Sequence, residues 1–561
     1  MFTPPPRPAS SPSMPSLLPE AGSWDELRAR FRWQVPSHFN MGRACCDAWA
    51  DITPERPCLV HFDADAREPF TVLTYGKLRA RADALAHDMA RRGIARGDRV
   101  ALLLPQGHAA AVAHMAIYRM GAIAVPLALL FGAEALEYRL AISGAKAVIA
   151  SSDALERIAE ARGDALEHVY CAEGGTGDAI DLPQVLSARG EPFAAVDTAA
   201  DDPALMIFTS GTTGPPKGAL HAHRVLIGHV PGVQTHHMPL PLNDDVLWTP
   251  ADWAWAGGLL NVLLPGLMMG VPVVSGRAGK FDPELAHETM AAARVTRLFM
   301  PPTALRLCRS VEDPAKRYDL RLRTVGSGGE QLGAPAHEWA REAWGLTVNE
   351  FYGQTECNLI VSGCEAMGVV DERAIGGAVP GHEVAVIDEA GERLPNGDVG
   401  QIAVLRPDPV MFLEYWQRPD ATEAKFRGDW MLTGDRGLID DRGLFRFEGR
   451  DDDVITSAGF RIGPGEIEDC LTGHPDVSLA AAVGKPDAVR TEIVKAYVVL
   501  REGVRASDDL ANALRDYVKR RLSAHEYPRE IDFIDALPLT TTGKVIRREL
   551  RERARAEVEH P

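Results

Sequence analysis

A chain of 561 residues is longer than one hydrophobic core usually supports, so two or more domains are expected. Its hydrophobic fraction of 46% and charged fraction of 25% are those of a globular protein, and a formal net charge of -18 argues against nonspecific binding to nucleic acid or a membrane surface. The eight cysteines are scattered without CxxC pairs or metal-ligand spacing, as expected of free thiols in a reducing compartment.

In chain order, the N-terminus to about Gly22 is Pro/Ser-rich with a lone Arg7, and residues 1–30 read as a disordered tail. It is neither an Arg-rich amphipathic presequence nor an apolar run that could span a membrane, so a cytoplasmic location is expected. From Phe39 onward helical and strand patterns alternate: a strand at Pro57-Cys-Leu-Val-His-Phe62, a helix over 74–92, a strand from Arg99, a helix over 108–120, and further cycles to Ala147-Val-Ile-Ala150. Such alternation predicts parallel sheets covered by helices.

After the strand Ala204-Leu-Met-Ile-Phe208 comes Thr209-Ser-Gly-Thr-Thr-Gly-Pro-Pro-Lys-Gly218. Thr209, Ser210, Thr212 and Thr213 offer hydroxyls, Gly211 and Gly214 let backbone N–H groups turn toward an anion, and Lys217 supplies charge. The spacing is not that of a Walker A loop, because Pro216 stands where the second motif glycine would fall and has no N–H to give. On composition alone, a phosphate cradle and an ordinary surface loop both fit. Trp253, Trp255 and Gly257 come next, in an aromatic stretch that suits either a core or a pocket wall. Gly328-Gly-Glu330 is a glycine-rich turn, and Asn349-Glu-Phe-Tyr-Gly-Gln-Thr-Glu356 places a ring, a hydroxyl and a carboxylate within a few residues. Between Gly376 and Phe447 short strands with Gly/Pro/Asp turns form a β-rich subdomain containing Thr433-Gly-Asp435. Gly449-Arg-Asp-Asp-Asp453 reads as an interdomain turn, and the hundred or so residues C-terminal to it as a small α+β domain.

With these pieces in order, the chain resembles the AMP-forming acyl-CoA synthetases of the adenylate-forming superfamily, which also holds luciferases and adenylation domains. Coverage runs from about Phe39 to Arg551. The resemblance rests on residues 209–218, Gly328-Gly-Glu330, Tyr352-Gly-Gln-Thr-Glu356, Thr433-Gly-Asp435, Gly449-Arg-x-Asp-Asp453 and Pro538-x-x-x-x-Gly-Lys544. The short- to medium-chain branch is the nearest, through Phe460-Arg-Ile-Gly-Pro-Gly-Glu-Ile-Glu468 and Pro486-Asp-x-Val-Arg-x-Glu492.

The resemblance implies an α/β fold: a large N-terminal domain (31–450) of parallel-rich sheets covered by helices plus the β-rich subdomain, and a small mobile α+β C-terminal domain (451–561). It implies that residues 209–217 wrap the ATP phosphates and that Gly329 and Glu330 border the adenine, with Tyr352 stacked on it. Glu350, Gly353, Gln354 and Thr355 belong to the same nucleotide region, and Glu356 helps hold Mg²⁺. Asp435 takes the ribose hydroxyls with Arg450, Asp452 is the hinge, Arg461 lies near the phosphates and Lys544 is the mobile catalytic lysine. Gly459 lines the pantetheine path of CoA, and Arg490 is a candidate for a CoA phosphate.

Acetate-specific relatives carry Trp at the position of Gly353, and no Lys or Arg stands in 253–258 or 351–360 to meet a second carboxylate. The expected acid is therefore a monocarboxylic one of short to medium length, branched and aromatic acids included, bound near Trp253, Trp255, Gly257 and Gly353. The alternatives are transfer to a carrier protein, an acetate preference, or, outside the superfamily, a kinase-like NTPase. Nothing in the sequence fixes the oligomeric state.

Overall fold

The computed structural model describes residues 18–209, 215–276, 279–450, 453, 455–457, 460–487, 490–522, 527–540 and 544–559. Two large sheets dominate. One has eight strands, ordered Glu414–Tyr415, Gly218–Ala222, Pro203–Phe208, Ile123–Pro126, Arg99–Leu103, Ala147–Ala150, His168–Cys171 and Ile180–Asp181. Its inner strands, such as Ala147–Ala150, are apolar throughout and buried at every position, the pattern of a parallel strand covered on both faces. The other has nine strands and runs from Gly377–Ala378 through Cys357–Ser362, Val348–Gln354, Thr324–Gly328 and Arg297–Phe299 to an antiparallel edge at Phe70–Thr74.

Between the sheets lies a shared layer of helices, His108–Arg119, Val225–His236 and Leu264–Met269, whose side chains join those of both sheets in one hydrophobic core. Every residue of Val225–His236 is buried, so its lack of an amphipathic stripe is what a helix enclosed on all sides requires. The β-rich subdomain is a five-stranded antiparallel sheet built around Trp430–Ile439, which pairs with Phe445–Arg450. Beyond it, strands Ile455–Ser457, Phe460–Ile462, Val477–Asp487, Thr491–Leu500 and Glu530–Phe533 form a separate sheet flanked by helices Pro464–Thr472, Asp508–Arg521 and Arg547–Glu559. This is the α/β architecture with a smaller α+β unit that the sequence predicts.

One expectation is corrected. Residues 24–30, read as tail on composition, form the helix Trp24–Arg30, capped by Ser23, with Leu27 fully buried. A seven-residue helix is marginal alone. Its indole seats against Gly377, where a Cβ would come within 2.7 Å of the Trp24 ring nitrogen. Among the described residues no helix is long and apolar enough to cross a membrane.

Candidate active site

Strands Pro203–Phe208 and Val348–Gln354 end just before Thr209 and Thr355, and open α/β sheets place ligands at the carboxyl ends of strands. Strand Pro203–Phe208 delivers Thr209, whose backbone N–H donates to the Lys217 carbonyl at 2.9 Å, closing the base of the hydroxyl-rich loop. The Thr209 hydroxyl is buried without a partner among the described residues. Lys217 holds its ammonium 4.5 Å from the centre of the Tyr415 ring. The Tyr415 hydroxyl in turn donates a short hydrogen bond to Oε1 of Glu356, which is itself buried.

Strand Val348–Gln354 supplies the next group. The Tyr352 hydroxyl donates to Oδ2 of Asp435 at 2.5 Å, and the Gln354 amide donates to the Thr433 carbonyl at 2.9 Å, so the two motifs are tied together. Asp435 is the register partner of Arg450 across the pair Trp430–Ile439 and Phe445–Arg450, with Nε 3.6 Å from Oδ1. Burial raises the Asp435 pKa from its ordinary value, while Arg450, the Tyr352 bond and Lys425 oppose the rise. On the opposite wall Glu330 accepts from the Thr303 hydroxyl at 2.8 Å and pairs with Arg306 at 3.4 Å. Glu350 accepts from the Leu332 backbone N–H and lies 3.7 Å from His337, so it braces the turn that carries Gly329 and Glu330.

The small domain closes over these groups. Gly329, Glu330, Tyr352, Gly353, Gln354, Asp435, Arg450 and Lys544 line one cleft of about 1260 Å³ shared by both domains. Gly329 has φ +102°, a conformation open to glycine, and a side chain there would meet the Lys544 stem. Lys544 is anchored by reciprocal bonds with Thr540: its N–H donates to the threonine hydroxyl at 3.0 Å and its carbonyl accepts at 2.7 Å. Crowding by the surrounding protein lowers the lysine pKa; Glu330 opposes this, Arg450 adds to it, and Asp435 and Glu356 oppose it again. Much of the side chain still meets solvent. The domains touch at two glycines. A Cβ on Gly333 would fall 2.4 Å from Oδ1 of Asp469, and one on Gly465 would fall 2.1 Å from Oε1 of Gln331.

Residues 46–416 match the family described as AMP-binding enzyme, and residues 466–544 match its C-terminal domain. The chain belongs to the AMP-binding enzyme family. Acetyl-coenzyme A synthetase of Bacillus subtilis is 32% identical over 94% of this chain and 93% of its own. Human acyl-coenzyme A synthetase ACSM4, mitochondrial, is 33% identical over 92% of this chain and 91% of its own. The crystal structure of Brucella canis acyl-CoA synthetase superposes with a TM-score of 0.73 at 32% identity, covering 96% of this chain and all (100%) of that one. The protein is thus an AMP-forming acid–thiol ligase, an enzyme of ATP-dependent acyl-adenylate and acyl-CoA formation.

In this AMP-binding enzyme, Ser210, Gly211, Thr212, Thr213, Gly214, Asp452, Gly459 and the Arg461 side chain lie outside the described residues. Thr355 occupies the turn between strands Val348–Gln354 and Cys357–Ser362. Arg490 does not line the cleft: it comes after strand Val477–Asp487, and its backbone N–H donates to Asp487 at 2.7 Å. Trp253 is buried in the main core and Trp255 packs edge-on to Phe131 at 6.1 Å, both with ring N–H groups lacking an acceptor among the described residues. Gly257 lies where a Cβ would sit 3.1 Å from the Phe299 ring.

Three residues near the nucleotide groups escape sequence reading. Tyr415 and Arg306 come from segments without a motif. Lys425, its pKa lowered by burial, senses Glu356, Asp435, Arg450 and Lys217 together and donates to the Thr433 carbonyl at 3.4 Å. Only a lysine in the short helix-to-strand link before Phe426 marked it, and that is a common surface pattern.

Proposed function

We propose that this enzyme activates short- to medium-chain monocarboxylic acids, branched and aromatic ones included, and hands the acyl group to CoA. What supports this reading is the convergence of Lys544 with Glu330, Tyr352, Asp435 and Arg450 in one cleft, to which Gly353 belongs within a stretch, 351–360, that carries no Lys or Arg. A carboxylate oxygen of the acid attacks the α-phosphorus of ATP; the bond to the β-phosphate oxygen breaks and pyrophosphate departs. Charge builds on the transferring oxygens, where the Lys544 ammonium stabilises it and no general base is needed. The thiolate sulphur of CoA then attacks the acyl carbon and AMP leaves with the carboxyl oxygen.

In this reading Asp435 and Arg450 hold the ribose, Tyr352 covers the adenine, and Thr209 and Lys217 face the β- and γ-phosphates. The orphaned Thr209 hydroxyl and the Lys217 charge suit an anion. Among the described residues no three His, Cys, Asp or Glu side chains converge as a metal cage. A lone buried carboxylate such as Glu356, one oxygen engaged by Tyr415, fits Mg²⁺, which takes one or two carboxylates together with substrate phosphates. When bound, Mg²⁺ would neutralise phosphate charge.

Pyrophosphate release across acetate, butyrate, hexanoate and benzoate, with and without CoA, tests the function. A strong preference for acetate overturns the acid assignment, and ADP in place of AMP overturns the chemistry. Asp435→Ala is expected to raise the KM for ATP about 10- to 100-fold, the worth of hydrogen bonds to a charged group. The KM for the acid should move far less; equal shifts in both would remove Asp435 from the ribose site.

Gly353 imposes a constraint that its motif position does not reveal. A Cβ there would fall 2.3 Å from the Leu359 backbone nitrogen and 2.7 Å from the Asn358 Cα, so the glycine is required by close backbone approach as well as by any slot. Gly353→Trp is therefore expected to shorten the accepted acids and also to cost about 1–3 kcal/mol of stability. Thermal denaturation beside a chain-length panel checks both, and an unchanged preference takes Gly353 out of the acyl site.

A further inference from the structure

Behind the cleft wall at Gly353 runs a chain of buried polar side chains whose direction is fixed from one end. His229 sits on helix Val225–His236 with Nδ1 2.7 Å from the Val225 carbonyl oxygen, so Nδ1 carries the proton and donates it. Burial pushes the imidazole pKa down to about 4, leaving the ring neutral and Nε2 a bare acceptor. Asn358 must then turn its amide nitrogen, not its oxygen, toward Nε2, and it does so at 3.1 Å. The other hydrogen of that nitrogen goes to Oδ1 of Asn261 at 2.8 Å.

This leaves the Asn261 amide nitrogen at the end of the chain. Asn261 is fully buried, and its Nδ2 finds no acceptor among the described residues. Flipping the Asn261 amide would turn two donors on each other, and flipping Asn358 would set its oxygen against the lone pair of His229. The orphan donor is thus a property of the arrangement. Asn261 lies in the π-helical turn Leu259–Leu263, a distortion frequent at functional sites. That turn comes directly after the short helix Ala256–Gly258 containing Gly257, while Asn358 backs directly onto Gly353. The orphan donor is thus four positions beyond Gly257 and linked to Gly353 through the single residue Asn358.

We propose that Asn261 is a specificity-determining residue whose amide N–H reads a neutral hydrogen-bond acceptor on the acyl group: a ketone, ether or hydroxyl oxygen, or a ring nitrogen. The inference rests on the acid-activating function proposed above and narrows its substrate class. A buried donor left unpaired by an apolar acid disfavours that acid, whereas an acceptor at the right depth restores the bond. A second carboxylate is disfavoured because neither 253–258 nor 351–360 carries a Lys or Arg to neutralise it.

The test compares acids of matched shape by kcat/KM for pyrophosphate release: levulinate against isocaproate, methoxypropanoate against pentanoate, and nicotinate against benzoate. The acceptor-bearing member of at least one pair is expected to be preferred about tenfold to a hundredfold. Asn261→Leu, of similar volume, is expected to bring that ratio to one or below. A ratio near one in all three pairs overturns the inference, as does a preference that Asn261→Leu leaves unchanged. Should Asn261→Leu fail to fold, the wild-type ratios decide alone. Pyrophosphate release with ratios near one refutes this inference only, while no release with any acid refutes the acid-activating reading as well.

Discussion

Lys544→Ala is expected to slow acyl-adenylate formation about 10²–10³-fold, the scale for removing one preorganised group that stabilises transition-state charge. Thioester formation from supplied acyl-AMP should change no more than a few-fold. The asymmetry comes from position: Lys544 stands in the cleft beside Gly329 and within the field of Glu330, Asp435 and Glu356. It belongs to the small domain, which the family resemblance makes mobile, and we propose that thioester formation requires that domain to move. Separate assays of the two half-reactions check this. Equal loss in both would mean that Lys544 does not leave between them.

Asp469→Asn is expected to change the balance between domain arrangements in a pH-dependent way. In this arrangement Asp469 is pressed against the domain interface, and burial raises its pKa to about 7; Arg306 lowers it, and Glu468, Glu350 and Glu466 raise it further. The carboxylate also faces Gly333, the N-cap of helix Ala334–Trp344, whose positive end opposes the rise. Glu350 in turn has His337 beside it, and Glu468 has Arg547.

Swung into water, Asp469 would titrate near an ordinary aspartate value of about 4. Closure then takes up a proton between roughly pH 4 and pH 7, and the closed arrangement loses stability by up to tenfold per pH unit as pH rises through that window. Above about 7 the penalty is complete. Asparagine cannot ionise, so the variant should populate the closed arrangement more than the parent at high pH and match it near pH 4. Spin-label distances between the domains as a function of pH would show it. A difference independent of pH would place the effect in packing instead.

The contiguous motifs were legible because each packs its chemistry into a few residues. Tyr352, Gln354 and Glu356 share one strand and turn, and the glycines of the Gly328-Gly-Glu330 turn advertise a backbone that only they adopt easily. Lys425, Tyr415 and Arg306 were not legible, since they reach the cleft through long-range packing and carry no local pattern. The bond from Asn358 to Asn261 spans 97 positions. The Trp24–Arg30 helix was hidden for a related reason, because Trp24 packs against Gly377, more than 350 positions away. Alternation of apolar segments, by contrast, depends only on neighbours in sequence, and it carried the α/β reading.

The pairing of Asp435 with Arg450 has a mechanical consequence. Arg450 is the last residue of its strand, and the small-domain sheet begins only five positions later, at Ile455. A ribose held by this pair would be gripped at the pivot and not out along the arm. In the domain movement proposed above, Lys544 would then sweep a long arc while the nucleotide stays nearly still. The adenylate would be the stationary workpiece, and the two faces of the small domain would be the tools brought to it in turn.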